Sequence, residues 1–489
     1  MWQTTGAPRA FDPAPTAATP YHAGSDRPCR IAVIGAGFSG ALTAIHLLWH
    51  CRPGERVYLV EKSGRLGQGL AYATANPQHL LNVRASRMSA FEDEPDHFLR
   101  WLDQLPPAER EAAGVSTGAG IFVRRSVYGD YIQSLLRDAI NRLGGARNLF
   151  IVTDSAVGLK PIDGGLDLET ACGRCYGVDA AVLALGNFPP DNSDAPSQAG
   201  SPWDPQVLDR LDPGRPLLLL GTGLTMVDIC IELLGRGFTG PIHAMSRRGQ
   251  LPQPHAPAPT WSGLHLDAED RRSVASLLRA VRRCVAEARE QGVGWRSVMD
   301  SLRPHIQLLW QEMSPADRHR FLRHLRPWWD SHRHRVAPTI ARVLDGARAE
   351  GRLKVLAGRL ERLEPDGAGI VAHWTQRGGV AGEPIAVQRV INCTGPGGDL
   401  TRVDDPLVQQ LLRDGLARQD RWRLGLETSG AGAIVGHDGR PSARLFGVGP
   451  VTRGTFWEIT SVPDIRQQAE QVALLALDAA RRHAAGLAA

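Results

Sequence analysis

Lysine is almost missing from this chain: of 56 basic residues only Lys62, Lys160 and Lys354 are lysines. An arginine bias of this kind is what a GC-rich genome imposes. With a net charge of +5 over 489 residues it leaves no basic footprint for nucleic acid. Cysteine is sparse and odd in number, seven residues scattered from Cys29 to Cys393, which excludes a secreted disulfide framework. No run of eighteen apolar residues occurs, so no membrane span is expected. Residues 1–28 are rich in Pro, Ala and Thr and lack the apolar stretch of a secretion signal; they read as a disordered tail. These absences point to a soluble chain of a reducing compartment, expected in the cytoplasm.

What is present is ordinary globular material, 43% hydrophobic and 22% charged, which excludes a mainly disordered chain. At about 150 residues per domain the length suits roughly three units. Fifty-three glycines and 34 prolines follow no repeat and so mark turns. Short apolar runs ending in glycine or a charged residue read as buried parallel strands. They are Arg30–Ile34, Arg56–Val60, Ala180–Leu185, Pro216–Leu220, Ile242–Ser246 and Arg389–Cys393. Helical spacing over Gly40–His50 and Leu224–Leu234 completes two β-α-β units. From Asp267 to Asp345, positions such as Leu277, Leu278, Val281 and Val285 recur at helical spacing between arginines, which predicts a helical insertion. Asp464–Leu487 reads as one amphipathic helix.

Gly35-Ala-Gly37-Phe-Ser-Gly40 matches G-x-G-x-x-G. The pattern alone is weak, but here a strand precedes it, a helix follows it, and Glu61 closes the next strand. Gly35 permits the tight turn, Gly37 lets a pyrophosphate approach the backbone, and Gly40 lets helix and strand pack. Phe38 and Ser39 open the helix whose N–H groups face the phosphates. Glu61 can accept both ribose hydroxyls, with Lys62 beside it. The competing reading is a glycine turn with no ligand. Gly221-Thr-Gly223-Leu224-Thr225-Met226 is an imperfect second copy, in which Met226 replaces the packing glycine and should hold the helix further from its strand. No acid ends the following strand; Arg247 and Arg248 stand there instead. An arginine fork suits a ribose 2′-phosphate, which favours NADPH over NADH, unless these arginines simply face solvent. The fold class expected is α/β, with two Rossmann-like dinucleotide-binding domains, the second inserted in the first, plus the helical insertion. The expected boundaries are 29–212 and 388–489 for the first domain, 213–262 and 346–387 for the second, and 263–345 for the insertion.

Further stretches carry a resemblance: Gly69-Leu-Ala-Tyr72, His79-Leu-Leu-Asn-Val83 with Met88-Ser89, Phe98-Leu-Arg-Trp101, Tyr128-Gly-Asp-Tyr131, Trp328–Arg335 and Trp457–Arg466. With the two glycine turns, the sequence is similar to bacterial FAD/NAD(P)-binding flavoproteins related to the flavin-dependent N-hydroxylating monooxygenases. The resemblance implies FAD in the first domain and NADPH in the second. It also implies a monooxygenase that acts through a C4a-(hydro)peroxyflavin, with O2 and a small polar substrate of urate or amine type. It assigns Gly186 and Gly395 to the passages between the domains, and His79, Asn82, Met88 and Thr460 to the cofactor. The polar candidates at the flavin face are Asn82 and Arg84, with ordinary FAD binding as their alternative. Phe446-Gly-Val-Gly449-Pro occupies the place of the usual Gly-Asp, so the contact there must come from backbone N–H groups or a neighbour. The helix opening at Thr460–Asp464 should point at the flavin pyrimidine edge.

Two departures narrow the resemblance. No His lies between Gly186 and Gly221, so the F-x-G-x-x-x-H signature of flavin-containing and Baeyer–Villiger monooxygenases is missing. Cys172-Gly-Arg-Cys175 raises a disulfide-reductase alternative, but it falls in a turn outside the second domain. His332 and His334 lie at i, i+2, on different faces of a helix, so no metal is expected. With Asp330, Arg333 and Arg335 they form either an anion-binding face or a structural network against Trp328 and Trp329. Two other functions stay open: a flavin-dependent NAD(P)H dehydrogenase or reductase, and a non-catalytic FAD-binding scaffold or redox sensor.

Overall fold

The computed structural model describes residues 27–142, 147–190, 199–367 and 369–486; most of the expected tail lies outside them. Ile31, Ala32, Val33 and Ile34 are all buried, as a strand covered on both faces requires. This strand, β1 (Arg30–Ile34), runs into helix α1 (Phe38–His50) and then strand β2 (Arg56–Val60). With β3 (Leu149–Val152) and β4 (Ala180–Leu183) they form a parallel sheet in the order β4-β1-β2-β3.

The chain then builds a second sheet from β5 (Ala199–Gly200), β6 (Leu217–Leu220), β7 (Ile242–Ser246), β8 (Leu353–Asp366), β9 (Gly369–Gln376), β10 (Ile385–Val387) and β11 (Arg389–Asn392). Its order is β5-β11-β6-β7-β8-β9-β10. The expected boundary at 388 is therefore corrected. Strand β11 pairs with β6, Leu217 opposite Arg389 through Leu220 opposite Asn392, and belongs to the second unit. Pairing of β5 with the same strand moves the unit's start forward to 199. The chain returns to the first sheet with β12 (Ala433–Val435) and β13 (Pro441–Gly447), which pairs with β4.

Small residues set the closest packing in the first unit. Ala41, Ala44 and Leu48 of α1 share one core with Ala469, Val472, Ala473 and Ala476 of the C-terminal helix Val462–Ala484. Each fully buried Leu or Ile in this core, such as Leu42 and Ile45, contributes about 2 kcal/mol by area. The opposite sheet face is covered by Leu159 and Leu168 of a small antiparallel sheet and by Leu407, Val408 and Leu411 of a helix. Cys172 and Cys175 sit at a hairpin turn of that small sheet, exposed and unlinked.

The region between β7 and β8 is helical, as expected, from Ala268–Arg271 to Pro338–Ala349. Its last helix is no appendage: Leu344 and Ala347 are buried in the second unit's core with Met226, Cys230 and Ile391. Trp310 and Phe321 pack instead on Trp457 of the first unit, the indoles stacked at 4.9 Å. The insertion thus bridges both units. No helix among the described residues is long and apolar enough to cross a membrane.

Candidate functional site

The first glycine turn is closed on itself. Gly35 has φ +95°, a conformation that L side chains avoid, and its N–H donates to Val60 O at 2.8 Å. A Cβ on Gly40 would fall 1.8 Å from Gly35 O, and one on Gly37 would fall 3.3 Å from the Gly69 Cα. No side chain caps the helix at Gly37, whereas Ser273, Ser314 and Asp405 cap helices elsewhere in the chain. The first-turn amides at Phe38, Ser39 and Gly40 are thus left to whatever meets the helix end. Glu61 accepts from Ala36 N and Ser63 N, both at 2.9 Å. The carboxylate therefore braces the glycine turn and keeps lone pairs for a ribose; Lys62 is exposed.

Gly449 has a different task from the one its position suggested. Its N–H donates to Gln468 Oε1 at 2.7 Å, so it is not free for a phosphate. A Cβ there would fall 2.4 Å from Ser39 Oγ. Glycine is required because this strap lies directly on the start of α1. Gly186 and Gly395, at the two crossings, face open space. Met88 is buried in the first unit's core. Thr460 is exposed and donates its N–H to Glu458 O.

In the second turn Gly221 (φ +107°) abuts Cys393 O, which a Cβ would approach to 2.3 Å, while Gly223 faces open space. The helix at Leu224–Gly235 again has no side-chain cap. The two arginines part company. Arg247 is exposed, whereas Arg248 donates to His324 O at 3.3 Å and lies 5.9 Å from the Trp328 ring. His79 is drawn to this unit rather than to the first. Its Nδ1 lies 2.8 Å from Thr74 Oγ1 and its Nε2 lies 3.3 Å from Asp228 O of the same helix. Arg125 grips Asp228 with two bonds of 2.7 and 2.9 Å. These contacts lock the Thr74–Leu80 loop to the second unit.

Between the two turns, loops from three parts of the chain converge. Asn82 O accepts from His255 Nε2 at 2.9 Å, and Arg84 donates to Ala256 O at 2.8 Å. The N–H of His255 in turn reaches Val336 O. Burial, with Arg335 and Arg84 nearby, pushes the His255 imidazole down to about 4. It is neutral at pH 7 with its proton on Nε2, and Nδ1 is buried with no partner. Arg303, from the insertion, donates to Ser461 Oγ at 2.7 Å, just before the C-terminal helix. Burial lowers Arg303 and Arg453 to about 10, still protonated at neutral pH.

Glu458, within the Trp457–Arg466 stretch that carries the resemblance, organises this region, a role its sequence position did not show. It is a buried non-glycine residue at φ +71°, a conformation costing on the order of 1 kcal/mol. Trp329 Nε1 donates to its Oε1 at 2.9 Å, and His334 Nε2 lies 3.1 Å from Oε2. Burial opposes ionisation, but His334, Arg333 and Trp329 outweigh it and hold the carboxyl well below the usual range. Of the two readings of Trp328–Arg335, these contacts match the structural network, centred on Glu458. His332 turns away to Trp328 O. Asp330, His334 and Glu458 bring ligand-type atoms within 4.8 Å of one another. Yet Arg326 lies 3.5 Å from Asp330 and Arg333 3.6 Å from Glu458, so guanidinium groups already occupy the field a metal cation would need.

Two glycine turns with uncapped helix ends, each at the carboxyl edge of a parallel sheet, define a two-dinucleotide-domain flavoprotein fold. Residues 32–188 match a family model described as FAD-NAD(P)-binding, and this stretch is an FAD-NAD(P)-binding domain. The chain is 29% identical over 296 residues to an L-aspartate N-monooxygenase (nitrosuccinate-forming) from Streptomyces cremeus. The match covers 51% of this chain and 43% of that protein; the chain thus spans under half the length of this curated relative. Among solved structures it resembles L-lysine 6-monooxygenase from Pseudomonas syringae, with TM-score 0.59 and 15% identity over 93% of this chain and 100% of the other. It also resembles the cadaverine monooxygenase of Erwinia amylovora bound to FAD, with TM-score 0.59 and 13% identity over 94% and 95%. At such identities these two likenesses establish the fold.

Proposed function

We propose that this chain is an FAD-dependent, NADPH-consuming monooxygenase that hydroxylates the nitrogen of a small amine. The observation that carries the reading is the convergence, between two dinucleotide turns, of the 82–84 loop, the 255–256 loop, Arg303 and the Glu458 turn. The curated relative and the neighbours of like fold are named for amine substrates, which favours an amine over urate. The FAD site fits the residues present. Gly35 and Gly40 leave no room for a Cβ against Ala184 O and Gly35 O, which keeps the turn tight, and the uncapped amides of Phe38, Ser39 and Gly40 with the Glu61 carboxylate would hold the pyrophosphate and ribose. Gly221, Gly223, Leu224 and Thr225 with Arg247 would hold NADPH.

When bound, FAD supplies the electron transfer from NADPH and the activation of O2; the protein supplies orientation and shelter. Trp310, Phe321 and Trp457 form a buried aromatic wall that keeps water from the junction. Neutral His255 offers Nδ1 as a hydrogen-bond acceptor for a substrate N–H, and its Nε2 proton is committed to Asn82 O. Asn82 and Arg84 tie the first unit to the second across this junction. Seven free cysteines suit a reducing cytoplasm.

The test is NADPH oxidation by the FAD-loaded protein in air, with aspartate, ornithine, lysine and cadaverine in turn, scoring the N-hydroxylated product. Amine-dependent NADPH consumption with matching product is expected. NADPH oxidation that yields only H2O2 with every amine, or that proceeds equally well without O2 on an added acceptor, would overturn the reading.

A further inference from the structure

Among the described residues every Phe, Tyr and Trp ring is buried or half-buried except that of Trp328, which is 46% exposed. Indoles are highly buried on average. Trp329 beside it follows that rule, its Nε1 donating to Glu458 Oε1 at 2.9 Å. A bare indole next to a ligand-binding turn has a flat apolar face to offer a flat partner.

The second glycine turn fixes where this ring stands. Thr222, between the two glycines, places Oγ1 2.8 Å from Ser246 Oγ and 2.6 Å from Gln250 O, and Gly249 N–H donates to Ser246 Oγ at 3.0 Å. The Arg247-Arg248 corner at the end of β7 is thus folded against the turn. From that corner the Arg248 guanidinium carbon comes within 5.9 Å of the Trp328 ring centre. The helix carrying the ring, Arg326–Arg333, is tied to the chain leaving the same corner. Ser331 Oγ donates to Leu251 O at 2.7 Å, and Gln253 N–H donates to Ser331 O at 2.9 Å. The ring therefore keeps its place without Arg248. In a dinucleotide fold the adenosine ribose meets the residues that follow this strand, and the base is bonded to that ribose. A guanidinium covers one face of an indole, which leaves the other for a base.

We propose that Trp328 is the platform on which the adenine base of NADPH stacks, so that the helical insertion supplies one wall of the cosubstrate site. The proposal rests on the reading that NADPH docks at the second turn. Its role is separate from that of Arg247: the arginine answers the 2′-phosphate, which NADH lacks, and the indole answers a base that both nucleotides share. The test is calorimetric titration of the FAD-loaded protein with NADP+ and with 2′,5′-ADP, which keeps the adenine end and lacks nicotinamide. Wild-type protein should bind both, and W328A should bind each about tenfold more weakly, with FAD retained. W328F keeps a flat ring and should stay within about threefold of wild type. Loss of NADP+ affinity with 2′,5′-ADP unaffected overturns the proposal and moves the ring to the nicotinamide end. Unchanged binding of both by W328A, or equal loss in W328A and W328F, overturns the platform and leaves NADPH at the second turn standing. Failure of the wild-type protein to bind either nucleotide removes the docking reading itself and the platform with it.

Discussion

A methyl group added at Gly40 would fall 1.8 Å from Gly35 O, whereas the equivalent place in the second turn already holds the entire, fully buried side chain of Met226. The first turn has no slack anywhere. Gly37 meets Gly69, Gly449 lies on Ser39, and Glu61 ties Ala36 to the next strand. The second has slack at Gly223, which faces open space, and its cation Arg247 is exposed. A rigid, closed turn is suited to a cofactor that stays, and an open one to a cosubstrate that binds and leaves on each turnover. One motif, written twice in one chain, is thus built to two different tolerances.

Glycine replacement should break this contrast most visibly. Gly40→Ala forces helix and strand apart and is expected to yield colourless protein without FAD, or none that folds. Gly223→Ala should remain yellow, lose about 1 kcal/mol at most in urea unfolding, and bind NADPH more weakly. Equal loss of FAD in both variants would erase the distinction.

Next in size is the exposed cation. Removing a charge-assisted contact to phosphate costs about 1.5–3 kcal/mol, so Arg247→Ala should raise the dissociation constant for NADPH by about 10- to 100-fold and leave that for NADH unchanged. Arg248→Ala should change either by less than about threefold, since its guanidinium serves His324 and Trp328. Fluorescence titration of both nucleotides on both proteins decides whether the two arginines act as one fork.

Glu61→Gln tests the first turn from the other side. The amide keeps one acceptor but points N–H at a backbone N–H, at a cost of about 1–3 kcal/mol. Weaker FAD retention on dialysis is expected, with NADPH affinity intact.

A further prediction concerns pH. His46, on the helix behind the first turn, is buried between Trp49 and Phe91 and held neutral, its imidazole lowered by burial from 6.5 to about 4. The unfolded chain takes up that proton first as pH falls, so this stabilisation is fully present above 6.5 and lost progressively towards 4. The urea midpoint should drop across that window, and His46→Leu should flatten the drop; an unchanged slope would exclude His46 as its source.

Much of the fold was legible because burial writes itself into composition. Strand runs such as Ile31–Ile34 and Leu217–Leu220, and the arginine-spaced helices of the insertion, appear where local pattern places them. Strand β11 was assigned to the wrong sheet for a reason of the same kind: Arg389–Cys393 has the texture of either sheet, and only pairing distinguishes them. Gly449 was read as a ligand contact because spacing cannot show that Ser39 lies beneath it. Among 53 arginines nothing local singled out Arg303, and although Arg333 and Arg335 stood out in the Trp328–Arg335 cluster, only the fold shows that Arg333 faces Glu458 and Arg335 faces Asp300. Glu458 lay in a stretch that carried the resemblance, but its role was not legible, since its partners lie in the insertion more than a hundred residues away.

By itself the sequence determined what depends on neighbours in the chain: two glycine turns between strand and helix, the acid after one and the arginines after the other, and the absence of an apolar span. The tertiary structure alone decided which side chains are spent on one another and which are left with unmet hydrogen bonds. Arg248 and His79 went to structural partners, Arg333 faced Glu458, and Arg335 bonded Asp300 with one nitrogen left bare. The physical reason is that a side chain's chemistry is set by what remains after its contacts are made, and those contacts come from segments that folding, not sequence order, brings together.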